Sequence, residues 1–245
     1  MDIKVLKLGV TNCFLASTGD NYLLIDTGYD YEWELFCKRL KDNGVSLSKI
    51  SHIVLTHHHD DHCGLLNKIL EENPDIKIVM SRRSKALLLK GKNDHEHGGG
   101  YINKRINFLL SLKSRFDKRW THTFPPYESR DLDILIETET NLREIGIALD
   151  GRIIETPGHS IDSISILFDD GDCIVGDAAA NFLQFAGTKY CVIYIENIEE
   201  YYKSWEKLIS AGAQKIFPSH GRPFSALKLR KNINKNSRRN MVMIS

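Results

Sequence analysis

Four of the 10 histidines of the chain lie within six consecutive residues, His57-His58-His59-Asp60-Asp61-His62. The apolar run Ile53–Leu55 directly before them is typical of a buried strand. Because side chains alternate along an extended chain, His57 and His59 should point the same way. Asp61 and His62 then fall at the turn into a helix, where they can face a second ion close to the first. Imidazole nitrogen and carboxylate oxygen bind zinc at roughly 2.0–2.2 Å, so this spacing predicts a metal site.

The composition is that of an ordinary globular protein. The chain has 245 residues, of which 27% are charged, and its formal net charge is +1. This balance gives no reason to expect a nucleic-acid or membrane partner, and no apolar run approaches the roughly 18–20 residues that span a bilayer. The first residues lack the layout of a signal peptide, which predicts a cytoplasmic protein. The cysteines form no CxxC pair, so neither a disulfide framework nor a cysteine zinc site is expected.

The hydrophobic periodicity predicts two similar halves, roughly residues 1–80 and 130–225, each made of strands and helices. Helices are expected from about Tyr31, near His62 and after the cap residue Asn197. The strands expected in the two halves are Ile3–Leu8, Asn12–Ser17, Tyr22–Asp26, Ile50–Thr56 and Ile76–Met80, then Asp133–Glu137, Ile147–Glu155, Ser163–Phe168, Cys173–Val175 and Lys215–Phe217.

A helical insertion at about 82–126 is expected between the halves, with helices Ser84–Lys90 and Tyr101–Phe116. The intervening loop carries His95 and His97, and the segment could form a lid over the metal site; the alternative is a surface loop with solvated charges. Residues 1–225 are predicted to be one domain. Residues 226–245 are basic and contain no acid, which favours a solvated tail over a site for anions or RNA.

The histidine cluster resembles the first signature, HxHxDH, of the metallo-β-lactamase-fold hydrolases. All four required positions are present, as His57, His59, Asp61 and His62. Three later segments match further motifs of that family in order: Thr156-Pro157-Gly158-His159, Gly176-Asp177 and His220-Gly221. Upstream, Asp26-Thr27-Gly28 matches the DTG strand end that supports the metal loop in this family. The resemblance extends from about residue 12 to about residue 224.

The resemblance implies an α/β fold, a four-layer αββα sandwich with the metals at one edge between the sheets. It assigns His57, His59 and His159 to the first ion, Asp61, His62 and His220 to the second, and Asp177 as the bridge. The expected cofactors are two zinc ions, with iron or manganese as alternatives.

The implied mechanism is attack by a metal-bridging hydroxide on a polarised carbonyl or phosphoryl centre. Asp61 is expected to be catalytic as well, passing a proton to the leaving group. His58 and Asp60 occupy the variable positions of the motif, and we interpret them as supporting or solvent-facing residues without chemistry.

The leading functional hypothesis is a zinc hydrolase of a small ester, thioester or lactone, from the glyoxalase II-like or lactonase-like branch. A phosphodiesterase or RNA nuclease on the same metals, a mononuclear iron dioxygenase of the persulfide type and a non-catalytic metal-binding module are the alternatives. Acyl-homoserine lactonases carry a tyrosine three residues after the bridging aspartate, where this chain has Ala180. Tyr190 and Tyr194 could replace it or could simply be packing residues. The number of subunits stays open, a homodimer included.

Overall fold

The computed structural model describes residues 2–94, 98–116 and 121–244. His95 and His97, for which the sequence left open a place near the metal site or in a surface loop, lie outside the described residues. The strands, in chain order, are β1 (Ile3–Lys7), β2 (Asn12–Ser17), β3 (Tyr22–Ile25), β4 (Ile50–Val54), β5 (Lys77–Ser81), β6 (Gly100–Tyr101), β7 (Ile134–Ile136), β8 (Thr140–Asn141), β9 (Gly151–Glu155), β10 (Ile164–Phe168), β11 (Asp172–Gly176), β12 (Tyr194–Ile195), β13 (Lys215–Pro218), β14 (Phe224–Ser225) and β15 (Val242–Met243).

Helices connect these strands within each half and in the insertion. They are α1 (Trp33–Asp42), α2 (Asp60–Cys63), α3 (Leu66–Glu72), α4 (Ser84–Lys90), α5 (Lys104–Phe116), α6 (Ile198–Ser210) and α7 (Leu227–Asn232). Short 3-10 turns occur at Asp30–Glu32, Leu47–Lys49, Leu142–Ile145, Gln184–Ala186 and Arg238–Asn240.

Two six-stranded mixed sheets form the centre of the fold. The first has the spatial order β1-β2-β3-β4-β5-β7, and the second has the order β14-β13-β11-β10-β9-β8. In the first sheet β3, β4, β5 and β7 run parallel, whereas β1 and β2 are antiparallel additions at one edge. In the second sheet only β11 and β13 pair in parallel.

Alternation along the strands divides the apolar core into layers. In β2, Phe14 belongs to the core between the two sheets, whereas Leu15 belongs to the core beneath α1 and α3. In β10, Ile166 faces the same central core and Leu167 faces the core beneath α6. Because side chains point to opposite faces with a period of two, each sheet is covered on both sides. The result is the αββα sandwich expected from the sequence.

The insertion helix packs with the second half of the molecule. Ile102, Ile106 and Leu110 share a buried cluster with Tyr201 and Trp205 of α6. Helix α6 starts where the sequence placed its cap, because the Asn197 side chain accepts hydrogen bonds from the backbone of Glu199 and Glu200. The insertion is therefore fixed against the outer layer next to the second sheet.

Three elements differ from the sequence expectation. The helix expected near His62 is interrupted between α2 and α3, where the Leu65 nitrogen donates to Thr27 Oγ1 in the loop after β3. Gly64 packs against the same loop, and a Cβ there would be 2.5 Å from the Asp30 nitrogen. Tyr101 belongs to β6, so the insertion helix begins only at Lys104. The strand expected from Ile147 begins at Gly151, after a 3-10 turn that ends at a left-handed glycine.

The basic C-terminal segment forms secondary structure. Leu229 of α7 is buried, while Lys228 and Arg230 on either side of it are exposed. Further on, β15 pairs with β6 of the insertion, and β6 pairs with β12, so that three short antiparallel strands form a small third sheet. The charged side chains are solvated as expected, but the backbone that carries them packs on the second half.

Candidate metal centre

Loops at the carboxyl ends of the parallel strands bring the predicted ligands together. β4 runs into the segment Thr56–His62, and the parallel strand β3 ends directly before Asp26. In the second sheet β11 ends directly before Asp177, and the parallel strand β13 ends two residues before His220. A backbone hydrogen bond from Ile164 to the Thr56 carbonyl joins the two sheets at this edge, at 2.8 Å.

The first donor set consists of three buried imidazoles. His159 Nε2 lies 3.1 Å from His57 Nε2 and 2.9 Å from His59 Nδ1. Zinc–nitrogen bonds of about 2.0–2.1 Å in a tetrahedral site imply a separation of about 3.3 Å between ligand atoms, close to these values. Burial, followed by the neighbouring imidazoles His62 and His59, holds the pKa of His57 well below its usual range. Burial also lowers the pKa of His159, so both rings offer neutral lone pairs.

The second donor set consists of Asp61, His62 and His220. His220 Nε2 lies 3.2 Å from Asp61 Oδ2, and His62 Nε2 lies 3.5 Å from Asp61 Oδ1. Burial alone would lower the pKa of His62, but Asp61, Asp26 and Asp177 together raise it to about 9. Burial would conversely raise the pKa of Asp61, yet His62 and His220 hold it below its usual range. This set therefore has a strongly polar, partly ionic character.

Asp177 lies between the two donor sets. Its Oδ1 is 3.3 Å from His220 Nε2, and its Oδ2 is 3.6 Å from His159 Nε2. Three overlapping groups of donors therefore form around it: His57, His59 and His159; His57, His62 and Asp177; and Asp61, His62 and His220. Within each group the ligand atoms lie within 4.8 Å of one another.

The buried polar atoms at this point fit divalent cations. Within the described residues, His62 Nε2 and Asp177 Oδ1 are buried and have no hydrogen-bond partner. Leaving such atoms unsatisfied costs roughly 1–3 kcal/mol each, so native proteins rarely retain them without a ligand or water. A cation between the two sets would satisfy both atoms, and the mixture of imidazole and carboxylate is the chemistry that zinc accepts.

Hydrogen bonds on the outer ring nitrogens orient three of these imidazoles. The Nδ1 atom of His159 donates to the Tyr194 carbonyl at 2.9 Å, and that of His220 donates to the Val10 carbonyl at 3.0 Å. His62 Nδ1 lies 2.8 Å from Asp26 Oδ2. Because Nδ1 carries the proton in each case, Nε2 presents its lone pair to the centre.

Asp26 supports the histidine segment from the first sheet. Its Oδ1 accepts from the Thr56 backbone at 2.8 Å, and its Oδ2 accepts from Thr56 Oγ1 at 2.8 Å as well as from His62. Its φ is 58°, a left-handed conformation that aspartate tolerates better than most residues. Gly176 makes room for Thr56, since a Cβ on this glycine would lie 2.5 Å from Thr56 Oγ1. The sequence had marked Asp26 only as general support for the loop.

Several other residues at the site were not identified from the sequence. Thr11 Oγ1 donates to Asp61 Oδ2 at 2.9 Å, across 50 positions of the chain. His58 is completely buried rather than solvent-facing, and Asp60 is 5% exposed. Of the two tyrosines left open, Tyr194 lies at the site, with its ring centre 6.2 Å from that of His159, whereas Tyr190 packs against Phe224 with the two rings tilted by 42°. No local motif marks Thr11, because its contact depends only on strand pairing.

A cavity of about 320 Å³ opens directly onto the donor sets. Most of its wall is apolar, and the donor residues lie at one end. The insertion contributes Tyr101, Leu109, Leu110 and Lys113, and the C-terminal segment contributes Ile244. Tyr29 also lines the cavity, and burial together with the nearby Asp61 raises its pKa. A small ligand with an apolar portion would fit this space.

The comparisons with known proteins agree with this geometry. The family model of the metallo-beta-lactamase superfamily matches residues 6–220, and the chain belongs to this family. The family and the hydrolase class that the sequence predicted are therefore confirmed. The histidines and aspartates of the family signatures form a cluster that could bind divalent metal ions.

Among curated relatives, a beta-lactamase-like protein 2 homolog of Caenorhabditis elegans is 26% identical over 220 residues, which cover 86% of this chain and 56% of that protein. The chain thus spans little more than half the length of this relative. A thioesterase, pkgB, of Emericella nidulans is 40% identical over 75 residues, 30% of this chain and 21% of its own length.

Among solved structures, an archaeal metallo-beta-lactamase superfamily protein of Sulfolobus tokodaii superposes with a TM-score of 0.60 at 19% identity, covering 95% of this chain and 85% of that one. At this level of identity the similarity supports the fold alone. Over the residues that the structure describes, every helix is too short or too polar to cross a bilayer.

Proposed function

We propose that this chain is a binuclear zinc hydrolase that cleaves a small ester, thioester or lactone bearing an apolar group. One observation carries the proposal: two buried donor sets on either side of Asp177 open into a cavity whose wall is mostly apolar. Catalytic metal sites leave a coordination position for water or substrate, and three protein donors per ion satisfy that requirement. The cavity supplies the space in which a substrate carbonyl would meet them.

When bound, a pair of divalent ions would lower the pKa of water and polarise a carbonyl or phosphoryl oxygen. The residues of the protein orient the reacting groups and deliver a proton to the leaving group. Thr11 and His220 both contact Asp61 Oδ2, which fixes the rotation of that carboxylate toward the cavity. Asp61, whose carboxylate His62 and His220 keep ionised, is thereby placed to take a proton from the attacking water and pass it to the departing oxygen or sulfur.

The cavity supports a substrate with a short apolar group. Leu109, Leu110 and Ile244 form part of its wall. Lys113 lines the same space and brings a positive charge to an otherwise apolar surface. A volume of about 320 Å³ lies at the lower end of the range for small-molecule sites. The name of the Emericella nidulans relative adds thioesters to the substrates worth testing.

The same observations bear on the alternatives. A single-metal oxygenase would need only one donor set, whereas a second set lies beside the first here, and Asp177 is 3.6 Å from His159 of one and 3.3 Å from His220 of the other. An RNA nuclease would need a basic groove along the nucleic-acid backbone, whereas this cavity is largely apolar. The hydrolase of small acyl substrates therefore has the better support.

Metal content provides the first test, by plasma mass spectrometry on protein purified without chelator. We expect about two zinc ions per wild-type chain and about one or fewer in Asp177→Ala. Asp172→Ala, at the start of the strand β11 that leads into Asp177, is the matched control and should retain the wild-type content. Hydrolysis of thioesters and lactones with acyl groups of two to ten carbons should fall with the metal. About one iron per chain, with oxygen uptake on sulfur substrates, would contradict the proposal.

A further inference from the structure

We propose that Asn93 and Asp94 of the insertion are positioning residues for the metal-binding segment, which they hold through its two variable positions, His58 and Asp60. We call the pair Asn93–Asp94 the clasp. This inference rests on the proposed metal site and deepens it. It assigns a function to the two residues of the HxHxDH segment that donate nothing to the ions.

One half of the clasp is a two-way amide contact. Asn93 Oδ1 accepts from the Asp60 backbone nitrogen at 2.8 Å, and Asn93 Nδ2 donates to Asp60 Oδ1 at 2.8 Å. The same Asp60 oxygen accepts from the backbone nitrogen of Asp61 at 3.1 Å. Through Asp60 Oδ1, Asn93 is thus linked to the backbone of the predicted ligand Asp61, at the first turn of α2.

The other half of the clasp holds His58. The Asp94 backbone nitrogen donates to His58 Nε2 at 3.1 Å, and His58 Nδ1 lies 3.0 Å from Asp162 Oδ1. Asp162 in turn accepts from Ser84 Oγ at 2.7 Å. All of these side chains are buried, so the ring of His58 is fixed from both sides. His58 lies between His57 and His59, and its fixed position constrains both of these predicted ligands.

The clasp itself is anchored in the insertion. The Asn93 backbone nitrogen donates to the His122 carbonyl at 2.9 Å, and the Phe124 nitrogen donates to the Gly91 carbonyl at 2.9 Å. Lys90 Nζ lies 2.8 Å from Asp94 Oδ2. Two short stretches of the insertion therefore brace each other beside the metal segment. Metal coordination tolerates ligand displacements of only about 0.2 Å, so a brace of this kind should affect metal affinity.

The test exchanges the two partners of the amide contact. Asn93→Asp places two carboxylates against each other and removes the donor to Asp60. The double variant Asp60→Asn/Asn93→Asp restores a donor and an acceptor between the two side chains in the opposite sense, but its amide group then faces the Asp61 backbone nitrogen in place of the carboxylate oxygen. Asn103→Asp is the matched control. Asn103 is another insertion asparagine that caps α5 and donates to the Ala186 carbonyl, and it contacts a different part of the molecule.

Zinc affinity is measured by competition with a chromophoric chelator, together with the far-UV circular dichroism and thermal midpoint of the metal-free proteins. We expect Asn93→Asp to bind the weaker zinc ion at least tenfold less tightly, as is typical when outer partners of metal ligands are lost. The double variant should regain only part of the lost affinity, because the hydrogen bond from the Asp61 nitrogen stays absent, and Asn103→Asp should bind as wild type does. At saturating zinc, Asn93→Asp should regain most of its kcat with KM little changed.

Wild-type affinity in Asn93→Asp, or equal losses in Asn93→Asp and Asn103→Asp, would overturn the proposal. If Asn93→Asp does not fold, Asn93→Ser, which removes the donor without adding charge, takes its place with the same expected loss. A wild-type protein that binds no zinc would instead contradict the proposed function. A wild-type protein with two zinc ions, together with an insensitive clasp, would contradict only the inference made here.

Discussion

Asp26 offers the sharpest test of how the first sheet supports the second donor set. Asp26→Asn keeps the size of the side chain, and asparagine tolerates the left-handed φ of 58° at this position. The amide oxygen can still accept from the Thr56 backbone, and the Thr56 hydroxyl can rotate to accept from the new amide group. His62 cannot adapt in this way. Its Nδ1 would face an NH2 donor, and the favoured tautomer would carry the proton on Nε2, where the ion should bind.

The expected cost is a tenfold to 100-fold loss of affinity for the second ion, or about 1.4–2.8 kcal/mol. The first donor set should be little affected, because Asp26 makes its direct contact with His62. Titration of the metal-free protein with zinc against a competing chelator separates the two steps. Asp133→Asn is the control, since Asp133 has a buried carboxylate beside the same sheet, where it accepts from the Ile78 nitrogen and pairs with Arg130. Unchanged affinity for both ions in Asp26→Asn, or parallel losses in the two variants, would refute the reasoning.

Three further predictions concern pH, the cavity and backbone packing. His62 has a pKa raised to about 9 without metal, and Asp177 and Asp61 outweigh burial to raise the pKa of His220 well above its usual range. Both rings must lose a proton to bind an ion, so affinity for the second ion should rise with pH up to at least about 9; calorimetry at pH 7 in buffers of different ionisation enthalpy should show about two protons released, and a pH-independent affinity would contradict this. Ile244→Ala should raise kcat/KM for longer acyl groups about three- to tenfold relative to short ones, whereas Met243→Ala, beside it but not part of the cavity wall, should leave the ratio unchanged. Gly64→Ala should destabilise the metal-free protein by about 1–3 kcal/mol in urea unfolding, because a Cβ would lie 2.5 Å from the Asp30 nitrogen; wild-type stability would show that the loop can relax.

The HxHxDH part of the site could be predicted from the sequence because its residues are close together in the chain. His57 and His59 leave a strand two residues apart, and the extended backbone alone sets their common direction. The strands β1 to β3 and the helix α6 were also predicted correctly, since each has several apolar residues with a clear period. His159, Asp177 and His220 were reached only through the resemblance to a known family. Their meeting with the local cluster depends on the ends of β9, β11 and β13.

Only the tertiary structure decided what surrounds this cluster. The two-residue strands β6, β12 and β15 are too short to show any periodicity, and their pairing uses backbone groups that every residue possesses. That pairing nevertheless brings Ile244 into the cavity wall. In the same way Thr11 reaches Asp61 across 50 positions, and Asn93 reaches Asp60 across 33. The sequence by itself indicated the donor chemistry of the HxHxDH segment and two similar halves of strands and helices, because both depend on residue types and local spacing. The αββα class and the three later donors were implied by the family resemblance. The cavity, the clasp and the outer hydrogen bonds depend on contacts between distant segments, and these arise only when the sheets pair and pack.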